Sequence, residues 1–304
     1  MPIVTPQMEI LSSQTTAHDA ATSTSKLTTP QRERKRALVV PREHGAWGML
    51  LVPLATGAVV GWVTGGSVAP VLLLATVVLA LFWLRTPIES GLGTGVLRVQ
   101  TRQERRLVLR VIVPLATTAT VALSALFWRG KNRELIWLGM TAGAAFVAQM
   151  FLKRMGRTKR LAAEVVGALA LTTTAPAAYC VATGRLDVRA WALWLLNWLF
   201  AADQIHFVWL RIRGVRTAGL GEKFRLGWSF LTGQIVLVGM LMVAYHFGWL
   251  PGLTWIAFAP ILFRGLVWFA KSPQPIVIRQ LGWTELAHAL VFGALLSASF
   301  CLVP

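Results

Sequence analysis

The chain is poor in charge and in cysteine. Of its 304 residues, 14% are charged, against roughly a quarter in an average soluble domain, and this shortage argues against a soluble globular enzyme. Its two cysteines, Cys180 and Cys301, exclude a disulfide scaffold. They equally exclude a Cys-rich zinc or iron–sulfur site, which needs about four ligands in recognisable spacing; small buried apolar residues are the better reading of both. Acidic residues are scarcer still, with 12 Asp and Glu facing 30 Lys and Arg. At the N-terminus no apolar run follows a short basic segment, so no cleavable signal peptide is expected and insertion falls to internal hydrophobic segments.

Apolar length is what the chain has, with 55% of its residues in the AVILMFWYC set. After Pro41, apolar runs recur at approximately 46–64, 68–84, 108–128, 134–152, 162–182, 190–210, 227–248, 251–270 and 284–303. Each is near the ~20 residues a helix needs to cross the hydrocarbon core. Unsatisfied backbone is costly there and no alternating ten-residue pattern marks a β-barrel, so the runs predict helices. The expected class is an all-α membrane bundle of nine transmembrane helices over residues 38–304. Residues 1–37 are expected to be a disordered, basic cytosolic tail: the first 30 hold eleven Ser or Thr and three Pro, too little apolar surface to offset the entropy of ordering. The tail ends in Gln31-Arg32-Glu33-Arg34-Lys35-Arg36, which reads first as a topology anchor and second as a contact for anionic headgroups.

When alternate connections are assigned to opposite sides, 24 basic residues fall on one side and five on the other. That split predicts the N-terminus inside and the C-terminus outside, and it supports an odd number of spans. Membrane topology thus accounts for the net charge of +18, and no nucleic-acid partner is implied. Thirteen of the 14 Trp fall near inner or outer span ends, as interfacial anchors do; Trp198 alone is deep. Small residues four apart (Gly57 and Gly61, Gly61 and Gly65, Gly139 and Gly143) mark faces expected to meet other helices. Pro53, Pro114, Pro176 and Pro260 are kink candidates.

Ionisable residues within spans are candidates for function because each is costly at mid-depth. His44, Glu89, Glu164, Asp203, His206, Arg264, Glu285 and His288 all sort to the cytosolic half. Asp203 and His206 lie about 60° apart on one helix face, and Asn197, Gln204 and Arg211 follow a heptad spacing on another. Glu285 and His288 repeat the carboxylate-then-His spacing of three. The bland reading makes these groups interhelical glue, with Arg264 matching Asp203 or Glu164. The sharper reading is a cytosol-facing polar cavity. No metal site and no cofactor is specified.

Pro41-Arg42-Glu43-His44-Gly45-Ala46-Trp47-Gly48-Met49-Leu50-Leu51-Val52-Pro53 resembles the opening signature of the YwiC-like family of bacterial membrane proteins. A looser likeness runs from about residue 38 to the C-terminus. The resemblance implies a multi-pass protein of the bacterial cytoplasmic membrane and brings no activity with it. More distantly, the chain is similar to the UbiA superfamily of intramembrane prenyltransferases, whose opening Arg-Pro…Trp…Pro pattern is echoed by Arg42, Trp47 and Pro53. That similarity implies a UbiA-like nine-helix bundle with a cytosol-facing cavity. The superfamily's two Asp-rich motifs hold magnesium on a prenyl diphosphate. The corresponding stretches here are Arg85-Thr86-Pro87-Ile88-Glu89-Ser90-Gly91, without Asp, and 197–213, with Asp203 alone. Too few carboxylates stand in place for magnesium-dependent prenyl transfer.

The expectation is therefore a cavity for a prenyl- or quinone-like lipid or another amphipathic anion. Asp203 and His206 would act as general base or orienting pair, and Arg42, His44, Asn197, Glu164, Arg264, Glu285 and His288 are the candidate ligand contacts. Two alternatives stay open. One is a proton-coupled secondary transporter relaying through Asp203, Glu285 and His288; the other is a noncatalytic membrane assembly partner whose protein contacts are unknown.

Overall fold

A computed structural model of the chain describes residues 31–41, 44–93, 97–129, 133–215, 219–271 and 277–302, among which no strand occurs. The helices are α1 (31–39), α2 (His44–Val63), α3 (Val68–Leu92), α4 (Arg102–Arg129), α5 (Arg133–Arg154), α6 (Arg160–Thr172), α7 (Thr174–Thr183), α8 (Val188–Gly214), α9 (Leu220–His246), α10 (Thr254–Ala270) and α11 (Ile278–Leu302). Every apolar run read from the sequence lies largely within one of these, save that 162–182 is divided between α6 and α7. Among the described residues, seven segments are long and apolar enough to cross a membrane: 46–63, 68–92, 102–128, 133–154, 160–183, 221–246 and 279–302. Outside that set are α8, interrupted by Asn197, Asp203, Gln204 and His206, and α10, which has 17 residues.

The chain divides into two compact units, one of residues 1–42 with 79–120 and the other of 43–78 with 121–304. In the first, α4 starts earlier than its apolar run because Thr101 and Glu104 form a capping box. The Thr101 Oγ1 accepts from Glu104 N at 3.1 Å and the Glu104 Oε2 accepts from Thr101 N at 3.3 Å, so two orphan amides of the first turn are satisfied. Residues 31–37, expected to be disordered, are helical. Arg34 Nε donates to Glu104 Oε1 at 2.7 Å, Arg34 Nη2 donates to the Arg98 carbonyl at 3.0 Å, and Trp83 Nε1 donates to the Val39 carbonyl at 2.9 Å. Ala37 and Leu38 are buried. The low apolar content of this stretch conceals that Arg34 finds partners on a distant segment and that the helix goes on to bury Leu38. Residues 1–30 lie outside the described residues.

In the second unit, small residues let backbones approach closely. A Cβ on Gly57 would stand 2.0 Å from the Ala175 carbonyl oxygen, and one on Gly61 would stand 2.7 Å from the Ala182 Cβ, so α2 lies directly on α7. A Cβ on Gly293 of α11 would stand 2.7 Å from Val52 Cγ1 of α2. The expected faces at Gly139 and Gly143 meet nothing within 4 Å; a small-residue spacing creates the opportunity for contact, and only a neighbour's placement uses it. Gly65 likewise lies past the end of α2, in a turn with φ of 89°.

Of the proline positions, Pro176 is where a helix breaks. Proline has no N–H to give the Thr172 carbonyl four residues earlier, and α6 gives way to α7 at Thr173. The Thr172 and Thr173 hydroxyls donate back to the Ala168 and Ala170 carbonyls, while the Thr174 hydroxyl reaches the Leu50 carbonyl of α2 at 3.2 Å. Pro53, Pro114 and Pro260 lie within continuous helices. Asp187 caps α8, its Oδ1 accepting from Arg189 N and Ala190 N, and Tyr179 donates to its Oδ2 at 3.0 Å. Two tryptophans tie α8 to α6: Trp194 and Trp198 donate to the Leu169 and Val165 carbonyls.

Candidate functional site

Four helices of the second unit converge on one buried polar cluster. From α8, the register of a 3.6-residue turn brings Asp203, Gln204 and Phe207 to adjoining faces; α9 contributes Gln234, α10 Arg264 and α11 Glu285. Arg264 Nη2 donates to Asp203 Oδ2 at 2.9 Å, and Nη1 donates to Glu285 Oε2. Gln234 Nε2 donates to the other Asp203 oxygen, and Gln204 Nε2 donates to the Glu285 backbone carbonyl at 2.7 Å. The Phe207 ring lies 4.0 Å from the guanidinium carbon, a cation–π contact that also shields the group from solvent. All three charged side chains are at least nine-tenths buried, with exposures of 9% for Arg264, 4% for Asp203 and 9% for Glu285.

Two features of this cluster bear on what it could hold. With both acids ionised, one guanidinium faces two carboxylates and the group carries one uncompensated negative charge. Two buried polar atoms also have no partner, a donor at Arg264 Nε and an acceptor at Gln234 Oε1. Leaving such an atom unsatisfied in the interior costs about 1–3 kcal/mol, so their occurrence on adjoining side chains is an arrangement that one molecule offering both a donor and an acceptor could complete.

The remaining candidates lie elsewhere. Asp203 and His206 do not form a pair: both Asp203 oxygens are taken by Gln234 and Arg264, while His206 Nε2 lies 3.2 Å from Ser229 Oγ of α9, its ring edge-on to Phe230. The 60° between them is enough to give them different partners, Gln234 and Arg264 for Asp203 and Ser229 for His206. His288 Nδ1 turns to the Thr284 carbonyl of its own helix at 2.7 Å, so it does not extend the Glu285 position. Asn197 sits six residues, or about 9 Å, before Asp203 and donates to Thr56 Oγ1 of α2 at 3.1 Å. Glu164 is half-buried on α6 and is not joined to the cluster. Arg42 and the side chain of His44 lie outside the described residues.

Sequence reasoning missed Gln234, which sits in an apolar run with no charged neighbour to draw notice. It also counted Lys223 as a connecting-loop charge. The structure places Lys223 in the first turn of α9, 2% exposed, with Nζ donating to the Trp268 carbonyl at 3.1 Å and to the Lys271 carbonyl. These carbonyls lie at the C-terminal end of α10, where a cation complements the helix dipole. Nothing local in the sequence encodes a cap supplied from 45 residues away.

Seven apolar spans and a charge-poor interior define a helical, multi-pass membrane protein. Residues 40–179 match the model of the YwiC-like protein family, which bears out the resemblance read from residues 41–53. The chain is also similar to the uncharacterized protein YwiC of Bacillus subtilis (strain 168), at 25% identity over 258 residues that cover 85% of this chain and 96% of the relative.

Proposed function

We propose that this chain is a nine-span protein of the bacterial cytoplasmic membrane, N-terminus inside and C-terminus outside, with a UbiA-like arrangement of helices. In this reading the cluster at Asp203, Gln234, Arg264 and Glu285 receives the polar head of a prenyl- or quinone-like lipid. The observation that carries it is the pair of partnerless buried atoms. A head bearing both a hydroxyl and a carbonyl would donate to Gln234 Oε1 and accept from Arg264 Nε, completing the hydrogen bonding that the protein alone leaves open. The charge balance favours a neutral head over an anionic one, because both Arg264 η nitrogens already face carboxylates and the cluster with both acids ionised is net negative. Nine spans are supported by the 24-to-5 split of basic residues and by α10, whose 17 residues make about 26 Å at 1.5 Å per residue.

The test is native mass spectrometry with lipid extraction on detergent-purified protein, comparing wild type with Gln234→Met, which keeps volume and removes both polar atoms. A stoichiometric lipid present in wild type and lost in the variant supports the reading; protein that carries no such lipid in either form overturns it.

The uncompensated carboxylate favours a second reading, in which the cluster holds one exchangeable proton and couples transport to it, as buried acids in membrane proteins do. Proteoliposomes under a pH gradient would then show a flux that Glu285→Gln abolishes. Absence of flux in wild type removes this reading and leaves the first unaffected.

A further inference from the structure

Where the C-terminal ends of α8 and α10 meet the first turn of α9, two cations stand together. Phe207 lies on Arg264, and a Cβ on Gly214 would stand 2.6 Å from the Trp268 ring, so the face of α8 that carries both is turned to α10, with Arg211 between them at helical spacing. Arg211 is half-buried, and its Nε is a buried donor with no acceptor. Among the described residues its guanidinium has no hydrogen-bond or ion-pair partner. Lys223 comes to the same place from α9. It is 2% exposed, and its Nζ donates to the Trp268 and Lys271 carbonyls, lies 4.9 Å from the centre of the Trp268 ring, and is near enough for the charge of Arg211 to act on it.

An ammonium has three N–H bonds, and two of those on Lys223 go to carbonyls. The C-terminal end of α10 supplies about half a negative charge, which leaves the two cations net positive by about 1.5 charges. Asp203 and Glu285 are held by Arg264, and Asp203 lies about 12 Å back along α8. Glu222, beside Lys223 in the sequence, is exposed. Like charges drawn together out of water repel each other and lose hydration. Capping α10 requires Lys223 alone and gives no reason for a second cation beside it with its Nε enclosed. The arrangement wants an acceptor that carries negative charge.

We propose that Arg211 and Lys223 hold a phosphate monoester, one oxygen accepting from Arg211 Nε and another from the remaining Lys223 N–H. The charge of such a group, about −1.5 to −2 at pH 7, matches the two cations, whereas a carboxylate or a phosphodiester brings a single negative charge. Arginine offers Nε and Nη as a fork that fits two oxygens of one phosphate, and lysine adds a point charge. The same chemistry serves a phosphorylated lipid and a soluble phosphate, and the experiment separates the two. The site leaves the open atoms of Gln234 and Arg264 untouched, so this proposal and the lipid-head reading fail independently.

The test uses the full chain, purified in a maltoside detergent and titrated calorimetrically with inorganic phosphate, dihexanoyl phosphatidic acid and dihexanoyl phosphatidylglycerol. Wild type is expected to bind a monoester, phosphate or phosphatidic acid, saturably and at least about tenfold more tightly than the diester phosphatidylglycerol. Inorganic phosphate binding as tightly as phosphatidic acid identifies a soluble ligand, and tighter binding of phosphatidic acid identifies a lipid. Arg211→Gln is expected to weaken binding at least about tenfold. Arg213→Gln, which removes an exposed charge stacked on Trp209, should leave it unchanged. Because Arg211 has no partner within the protein, ligand-free Arg211→Gln is expected to unfold at the wild-type temperature or above; a lower temperature would show that Arg211 is structural and would overturn the proposal. Equal losses in the two variants overturn it as well, as do equal affinity for the two phospholipids and the absence of saturable monoester binding by wild type.

Discussion

Arg264 is the position where substitution should be felt most. Its guanidinium, 9% exposed, is the cation shared by Asp203 and Glu285, so Arg264→Met leaves two buried carboxylates without a counter-charge. Removing one partner of a buried pair costs about 3–5 kcal/mol. Polar hydrogen bonds between membrane helices average only about 0.6 kcal/mol, so loss of the cation dominates loss of its hydrogen bonds. Arg264→Met should therefore be destabilised by about 3–5 kcal/mol, read as a shift in unfolding of the detergent-solubilised protein followed by circular dichroism during titration with dodecyl sulfate. Neutralising the acids should restore most of the loss. Arg264→Met/Asp203→Asn/Glu285→Gln is expected to lie within about 1–2 kcal/mol of wild type, since replacing a whole buried ion cluster by neutral groups is often close to neutral. Strictly additive effects, or an Arg264→Met variant as stable as wild type, would refute the reasoning by showing that water reaches the cluster and screens it.

Three further outcomes follow from the packing. Gly57→Ala should destabilise by about 1–3 kcal/mol because its Cβ would meet the Ala175 carbonyl at 2.0 Å; Gly143→Ala, with nothing within 4 Å, should be neutral or slightly stabilising, and equal effects in thermal unfolding would contradict the close α2–α7 approach. Lys223→Met should cost about 1–3 kcal/mol by stripping the donor from the α10 carbonyls, whereas Lys271→Met, whose exposed residue takes part through its backbone, should change little; a Lys271 effect as large as that of Lys223 would count against the cap. Cys180, 1% exposed, should react with a maleimide only after denaturation, and Cys301, partly exposed, should react in the native protein; equal rates by mass spectrometry would contradict the burial.

Much of the helical layout was legible because the bilayer-length run is a one-dimensional signal. Each run of about 20 apolar residues became helix, since a chain that long and apolar has no better way to satisfy its backbone. The boundaries were less so: α4 begins six residues before its apolar run, on a Thr101–Glu104 capping box hidden among charges. At the site, Asp203, Arg264 and Glu285 stood out as ions in hydrophobic company, and the structure brings those three together. Asp203 and His206, read as a pair, find separate partners, because a spacing of three gives angular proximity and says nothing of which side chains on the neighbouring helices each one meets. Gln234 was missed for the converse reason: an uncharged side chain in an apolar run gives no local sign that it completes a cluster.

The sequence by itself determined that this is a charge-poor, helical, multi-pass chain resembling the YwiC-like family, because length, hydropathy and a short signature are properties of consecutive residues. Only the tertiary structure decided that Arg264 is shared between two acids, that Lys223 caps a helix 45 residues away, that Gly57 is covered while Gly143 is open, and that α1 is folded onto Glu104. Each of these depends on which helix lies beside which. Helix contacts within a membrane draw little on the hydrophobic effect and much on close fit and paired polar groups, and fit between distant segments is not a property that consecutive residues express.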